Sequence, residues 1–162
     1  MDDPLVTDDA RALIADLTVR RQSVATAESL TAGLMTATLA GVPGASVVLR
    51  GGLVTYVEET KILLAGVAPQ VLDAVGPVAA PTARALAVGA RQRCAATWGV
   101  GLTGVAGPEP HGGHPVGTVF LGLAGPVHTE VVQLAFSGSR WDIRRSAVNE
   151  AIARLRALVE GQ

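Results

Sequence analysis

Much of what commonly carries function on a protein surface is scarce in this chain. It has one cysteine, three histidines, 3% aromatic residues and a formal charge of −1 across 162 residues. Near-neutrality removes any global attraction to nucleic acid or to an anionic membrane, so neither partner is expected, and an anionic ligand must be met by a local cluster. One cysteine allows no internal disulfide; Cys94, in a helical pattern with no histidine nearby, reads as a small buried hydrophobe. The opening MDDPLVTDD has neither the basic nor the apolar region of a secretory signal, so a cytoplasmic location is expected. The uncharged run over 29–49 contains Gly41-Val42-Pro43-Gly44 and several hydroxyl residues, whose polar groups lipid would leave unpaired. That run reads as a buried helix, a turn and a strand. Lysine is nearly absent too: twelve of the thirteen basic residues are arginine and one is Lys61.

What is present is a largely apolar chain, 49% hydrophobic, long enough for one domain over 1–162 to bury a core of its own. Leu13, Ile14 and Leu17 share a helical face over 8–21, with aspartates at its start and arginines at its end, as the helix dipole favours. Strand-like SVATA follows, then a short helix over about 32–40 stopped by Gly41 and Pro43. Residues 47–56 read as a strand whose paired glycines suggest a bulge or close backbone approach. Helices are expected over 58–65, over 69–75 and from Pro81 to Thr97, and a further strand at WGVGLTGV. Two adjacent strands over 116–124 and 127–136 should pair antiparallel. The last helix, 141–159, carries Ile143, Ala147, Ile152, Leu155 and Val159 along one stripe. Alternating strands and helices predict an α/β fold, a three-layer α/β/α sandwich with a mixed central sheet.

Four stretches hold polar residues that such a scheme does not need. In α/β sheets, reactive side chains commonly lie where a strand ends and a helix begins. Glu28 and Ser29 lie there; Ser29 or Thr31 could equally cap the helix, though a cap does not account for Glu28. The second stretch, TYVEETK, contains the chain's one tyrosine and one lysine, Tyr56 and Lys61. Unlike arginine, a lysine can be tuned by burial into a general base, and a serine hydroxyl needs a base to become a nucleophile. Lys61 is thus a candidate partner for Ser29, or else a solvated lysine loosely paired with Glu58.

The third stretch, 101–119, is a glycine-rich connection between strands that matches neither a P-loop nor a dinucleotide fingerprint. Its His111 and His114 form an HxxH pair without a further ligand in view, so no metal is expected. Thr103 stands at the preceding strand end. The fourth, FSGSRWDIRR, gathers Arg140, Arg144 and Arg145 at a helix start, where guanidinium groups favour an anion such as phosphate or else form an exposed helix face.

Together, TAESLTAG, GGLVTYVEETKILLAGV, GVAGPEPHGGHPVGTV and FSGSR resemble the signature segments of the CinA C-terminal domain family, in the same order, over roughly residues 8–159. The resemblance implies a stand-alone amidohydrolase of the nicotinamide-nucleotide type, converting nicotinamide mononucleotide to nicotinic acid mononucleotide and ammonia without a cofactor. It implies Ser29 as nucleophile, Lys61 as its base, and Tyr56 and Thr103 as polar partners. It places Arg140 at the substrate, with Glu28, Thr31, Gly33, Gly104 and Gly107 around it; backbone N–H groups of Thr31–Gly33 would hold an oxyanion. A homodimer or larger homo-oligomer is implied as well. A second implied role is a non-catalytic nucleotide- or partner-binding module linked to competence and DNA damage. The chain departs from the family pattern at Ala32, where a glycine is usual, at Ala79, where a serine is usual, and at His114, where a lysine is usual.

Overall fold

The computed structural model describes residues 3–162; residues 1 and 2 of the acidic N-terminal stretch lie outside it. In chain order the elements are α1 (Asp8–Arg20), β1 (Val24–Glu28), α2 (Leu34–Ala40), β2 (Leu49–Val54), α3 (Glu58–Ala65), α4 (Pro69–Val75), α5 (Ala80–Arg93), β3 (Trp98–Gly104), β4 (Thr118–Ala124), β5 (Thr129–Ala135) and α6 (Arg140–Glu160). The five strands form one sheet in the order β2-β1-β3-β4-β5. β1 runs parallel to both β2 and β3, whereas β3–β4 and β4–β5 are antiparallel. The sheet is mixed and flanked by helices, as the alternation of elements predicts.

Side-chain alternation along β3 decides how the layers sit. Trp98, Val100 and Leu102 face one side and join α1, α2 and α6 in the main core, with Leu13, Met35, Ile143, Ile152 and Leu155 fully or almost fully buried. Gly99 and Gly101 face the other side with Gly122 of β4, and there α5 lies directly on the sheet. A Cβ on Gly99, Gly101 or Gly122 would stand 2.0, 2.4 or 2.3 Å from a carbonyl oxygen of α5, so these positions admit no side chain. α3, α4 and α5 close this face over Ala25, Ala27, Leu72 and Leu86.

Three expectations need correcting. α5 ends at Arg93 rather than Thr97, because Cys94 leaves helical geometry and Ala95 takes a left-handed φ of 50°, signalled by no glycine or asparagine. Cys94 is consequently the cap of that helix, half-buried rather than buried, and packs against the core on the α5 side. The strand expected over 47–56 is shortened to Leu49–Val54 by a 3-10 turn at Ala45–Val47, and the register shift opposite Val24/Ala25 is the bulge that its glycines suggested. Ala79, where the family pattern has serine, is the N-cap of α5 and offers no side-chain cap.

Candidate active site

β1 and β3 run parallel, so their C-terminal ends open together at one edge of the sheet, and the turns leaving them border a cavity of about 320 Å³. Its wall includes Ser29 from the β1–α2 turn, Tyr56 and Lys61 from the segment after β2, Thr103, Gly104 and Gly107 from the end of β3, and Arg140 from the start of α6. Four chain segments distant in sequence therefore converge, as expected for a ligand site at the carboxyl ends of parallel strands.

Lys61 is the central group. It is 1% exposed, and its Nζ donates to Ser29 Oγ at 3.0 Å and to the Thr55 carbonyl at 2.7 Å, with the Tyr56 carbonyl farther off at 3.4 Å. No carboxylate lies within ion-pair distance of it among the described residues. Burial pushes its pKa down from 10.5 to about 8, against an upward pull from Glu58. An amine so placed is neutral in a far larger fraction near neutral pH than an ordinary lysine, and it touches the hydroxyl it would activate. The alternative of a solvated surface lysine is ruled out by its burial.

The other predicted residues divide into those at the cavity and those behind it. Tyr56 reaches the cavity, but its phenol oxygen accepts from Arg140 Nη2 at 2.9 Å, and only its carbonyl meets Lys61. Arg140 also donates to the Gly107 carbonyl, which ties α6 to the loop after β3. Thr103 is buried in the cavity wall and gives its proton to the Pro77 carbonyl at 2.6 Å, fixing the opposite wall, Pro77-Val78. Gly104 has no room for a Cβ, which would stand 2.5 Å from the Thr118 carbonyl; Gly107 takes a φ of 87°.

Glu28, Thr31 and Gly33 are placed differently from the expectation. Glu28 is fully buried and lies outside the cavity wall, its carboxylate turned back onto α2. The N-cap of α2 is Gly33, so neither Ser29 nor Thr31 caps the helix. The Gly33 N–H is taken by Glu28 at 3.0 Å and the Ala32 N–H by the Ser29 carbonyl at 3.1 Å, which withdraws both from an oxyanion hole. Thr31 is buried, and its hydroxyl oxygen has no hydrogen-bond partner among the described residues. Of the three arginines at the start of α6, only Arg140 lines the cavity; Arg144 binds the carbonyls of Leu30 and Thr31, and Arg145 makes an exposed 3.6 Å contact with Asp142.

Glu109 and His111 also line the cavity, and sequence reasoning did not place them there. The one available signal was their position on the glycine-rich connection. His111 and His114 exchange backbone hydrogen bonds across a two-residue turn, and no group of three or more potential metal-ligating side chains exists among the described residues.

A model of the CinA C-terminal domain matches residues 7–159. The chain belongs to that family. A CinA-like protein of Anaeromyxobacter sp. (strain K) is 48% identical over 147 residues, which is 89% of this chain and 36% of the relative. The chain thus spans little more than a third of the length of such relatives. It covers nearly all of the solved CinA-superfamily domains. The competence/damage inducible protein CihA from Agrobacterium tumefaciens superposes with a TM-score of 0.88 at 33% identity, covering 94% of this chain and 97% of that one. The competence or damage-inducible protein from Enterobacter asburiae gives 0.90 at 29% identity, with 94% and 96% covered. No described helix of this CinA-family domain is long and apolar enough to cross a membrane.

Proposed function

We propose that this CinA-family domain is an amidohydrolase that cleaves the linear amide of nicotinamide mononucleotide with a Ser29–Lys61 dyad. The observation that carries the reading is the 3.0 Å contact between the Ser29 hydroxyl and an amine that is buried, unpaired by any carboxylate among the described residues and shifted to about 8. Neutral Lys61 takes the hydroxyl proton as Ser29 Oγ attacks the amide carbon. The resulting ammonium then protonates the leaving nitrogen, and the C–N bond breaks to give ammonia and an ester on Ser29. Water, deprotonated by the same amine, attacks the ester and releases the acid. The N–H of Leu30, which follows the nucleophile in the cavity wall and has no partner among the described residues, is free to hold the oxyanion. Arg140, which makes no ion pair among the described residues, carries the charge that would meet the phosphate. No step calls on a cofactor.

Ammonia release from nicotinamide mononucleotide tests this. Ser29→Ala and Lys61→Arg are each expected to abolish turnover with circular dichroism unchanged; arginine keeps the positive charge but cannot surrender its proton. Activity surviving in either variant would remove that residue from the mechanism, and an inactive wild type that still binds the nucleotide would favour the binding-module role. The same reading includes self-association, supported by exposed Val57, Ile62, Leu63 and Leu64 beside the open β2 edge. Light scattering would show a dimer or larger species, and a monomer would count against it.

A further inference from the structure

The turn that presents Ser29 is gripped from both sides by residues that never touch the cavity. On one side stands Glu28, fully buried and without a cation among the described ion pairs. An isolated buried carboxylate is costly unless hydrogen bonds satisfy it, and this one is well supplied. One oxygen accepts from the N–H groups of Gly33 and Met35, each at 3.0 Å. The other accepts from the Thr36 N–H at 2.8 Å and the Thr36 hydroxyl at 2.7 Å, with the Thr26 hydroxyl at 3.1 Å. On the other side, Arg144 of α6 donates from Nε to the Leu30 carbonyl at 2.9 Å and from Nη2 to the Thr31 carbonyl at 3.1 Å.

We propose that Glu28 and Arg144 are positioning residues that clamp the Ser29–Gly33 turn, the carboxylate holding N–H groups at its end and the guanidinium its carbonyls, so that the Ser29 hydroxyl stays on Lys61. This rests on the Ser–Lys reading above. Two features show why a clamp is needed. Consecutive Ala32 and Gly33 adopt left-handed φ angles of 48° and 94°, and alanine keeps such a conformation only where its surroundings impose it. A serine serving as the α2 N-cap would also have its oxygen turned to the helix N–H groups; Glu28 does that work from the strand and leaves Ser29 free. The bare Gly52 makes room for it, since a Cβ there would stand 2.0 Å from the Thr36 hydroxyl that Glu28 binds.

The chain's one lysine makes the clamp measurable without reference to turnover. In protein carrying 13C-labelled lysine, the Lys61 side chain gives a single titrating signal by NMR. Its midpoint is expected at about 8 in the wild type and nearer the ordinary 10.5 in E28Q and R144M, because a loosened turn admits water to the amine. Loss of the Glu28 charge alone would move the midpoint down, so a rise in E28Q identifies loosening; loss of the Arg144 cation would itself move it up, so R144M counts only alongside E28Q or T36V. With nicotinamide mononucleotide, kcat should fall about tenfold or more while KM stays within about threefold. T36V, which removes one donor, should move both readouts the same way by less, and T36S should restore wild-type values. These two keep the proposal testable if E28Q does not fold. Folded E28Q and R144M with lower Tm but an unmoved Lys61 midpoint and unchanged kcat would overturn it, as would an unmoved midpoint in T36V and R144M. If the wild type has no amidase activity, the midpoint shift still decides the clamp, so the two readings fail separately.

Discussion

The β1–α2 turn and the long connection from β3 to β4 border the same cavity, yet they are held by opposite means. The first is short and buried over Ser29–Thr31, with a carboxylate and a guanidinium bonding its backbone from either side. The second is mostly exposed from Pro108 to Pro115 and is organised by its own backbone. His111 and His114 close a hairpin over Gly112 and Gly113, whose φ angles are 58° and 80°, and the His114 ring meets Phe120 edge-on at 5.3 Å. Side-chain bonds to buried backbone fix a group to within tenths of an ångström, which bond-making requires. A tip held by its own hydrogen bonds tolerates change, which suits a wall that recognises the outer part of a ligand. Variants in the first turn should therefore act on kcat, and variants around the second on KM.

The largest expected effect is at the amine that the first turn serves. Lys61→Met should lower turnover by about 10⁴-fold or more. It should also change how stability depends on pH. Native Lys61 titrates at about 8 and the unfolded chain's lysine at 10.5, so between those values the unfolded state binds more protons. Wild-type stability relative to the variant therefore climbs from pH 8 to 10.5, and below pH 8 the buried charge is a standing cost that methionine removes. Urea unfolding of both proteins across that range checks the sign; parallel curves would mean that Lys61 is not desolvated. Next comes Arg140→Ala, expected to raise KM for the phosphorylated amide about tenfold or more, with little change for the corresponding riboside. Equal effects on the two would erase the division of labour between the turns. The smallest effect is a change of backbone freedom in each. Gly113→Ala, at a tip open to solvent, should cost about 1 kcal/mol of stability, whereas Ala32→Gly trades relief of a left-handed alanine against added unfolded-state freedom and should shift stability by less than about 1 kcal/mol.

The fold was legible where local chemistry agreed with tertiary demand. Paired aspartates opened α1, Gly41 and Pro43 stopped α2, and Pro81 sat in the first turn of α5. The end of α5 was not legible, because Ala95 carries no mark of its left-handed turn. In the site, Ser29 and Lys61 could be singled out because one lysine among arginines asks for an amine's particular chemistry, and the structure brings them together. Glu28 could be noticed but not interpreted. Its role depends on α2 folding back to present three N–H groups to a strand residue, an arrangement that no spacing in the sequence encodes. Arg144 stayed open between an anion contact and an exposed helix face, because neither reading could foresee two carbonyls brought to it from more than a hundred residues away.

The bare face of the sheet beneath α5 reaches further than its own layer. Because Gly99, Gly101 and Gly122 let that helix settle onto β3 and β4, the Pro77-Val78 segment just ahead of it descends to where Thr103 can grasp it. The depth of the chamber is thus governed from the middle of the sheet, well away from any reacting atom. A methyl at Gly101 has nowhere to go unless the helix rises, and the wall that Thr103 holds would rise with it, although no residue lining the cavity had changed.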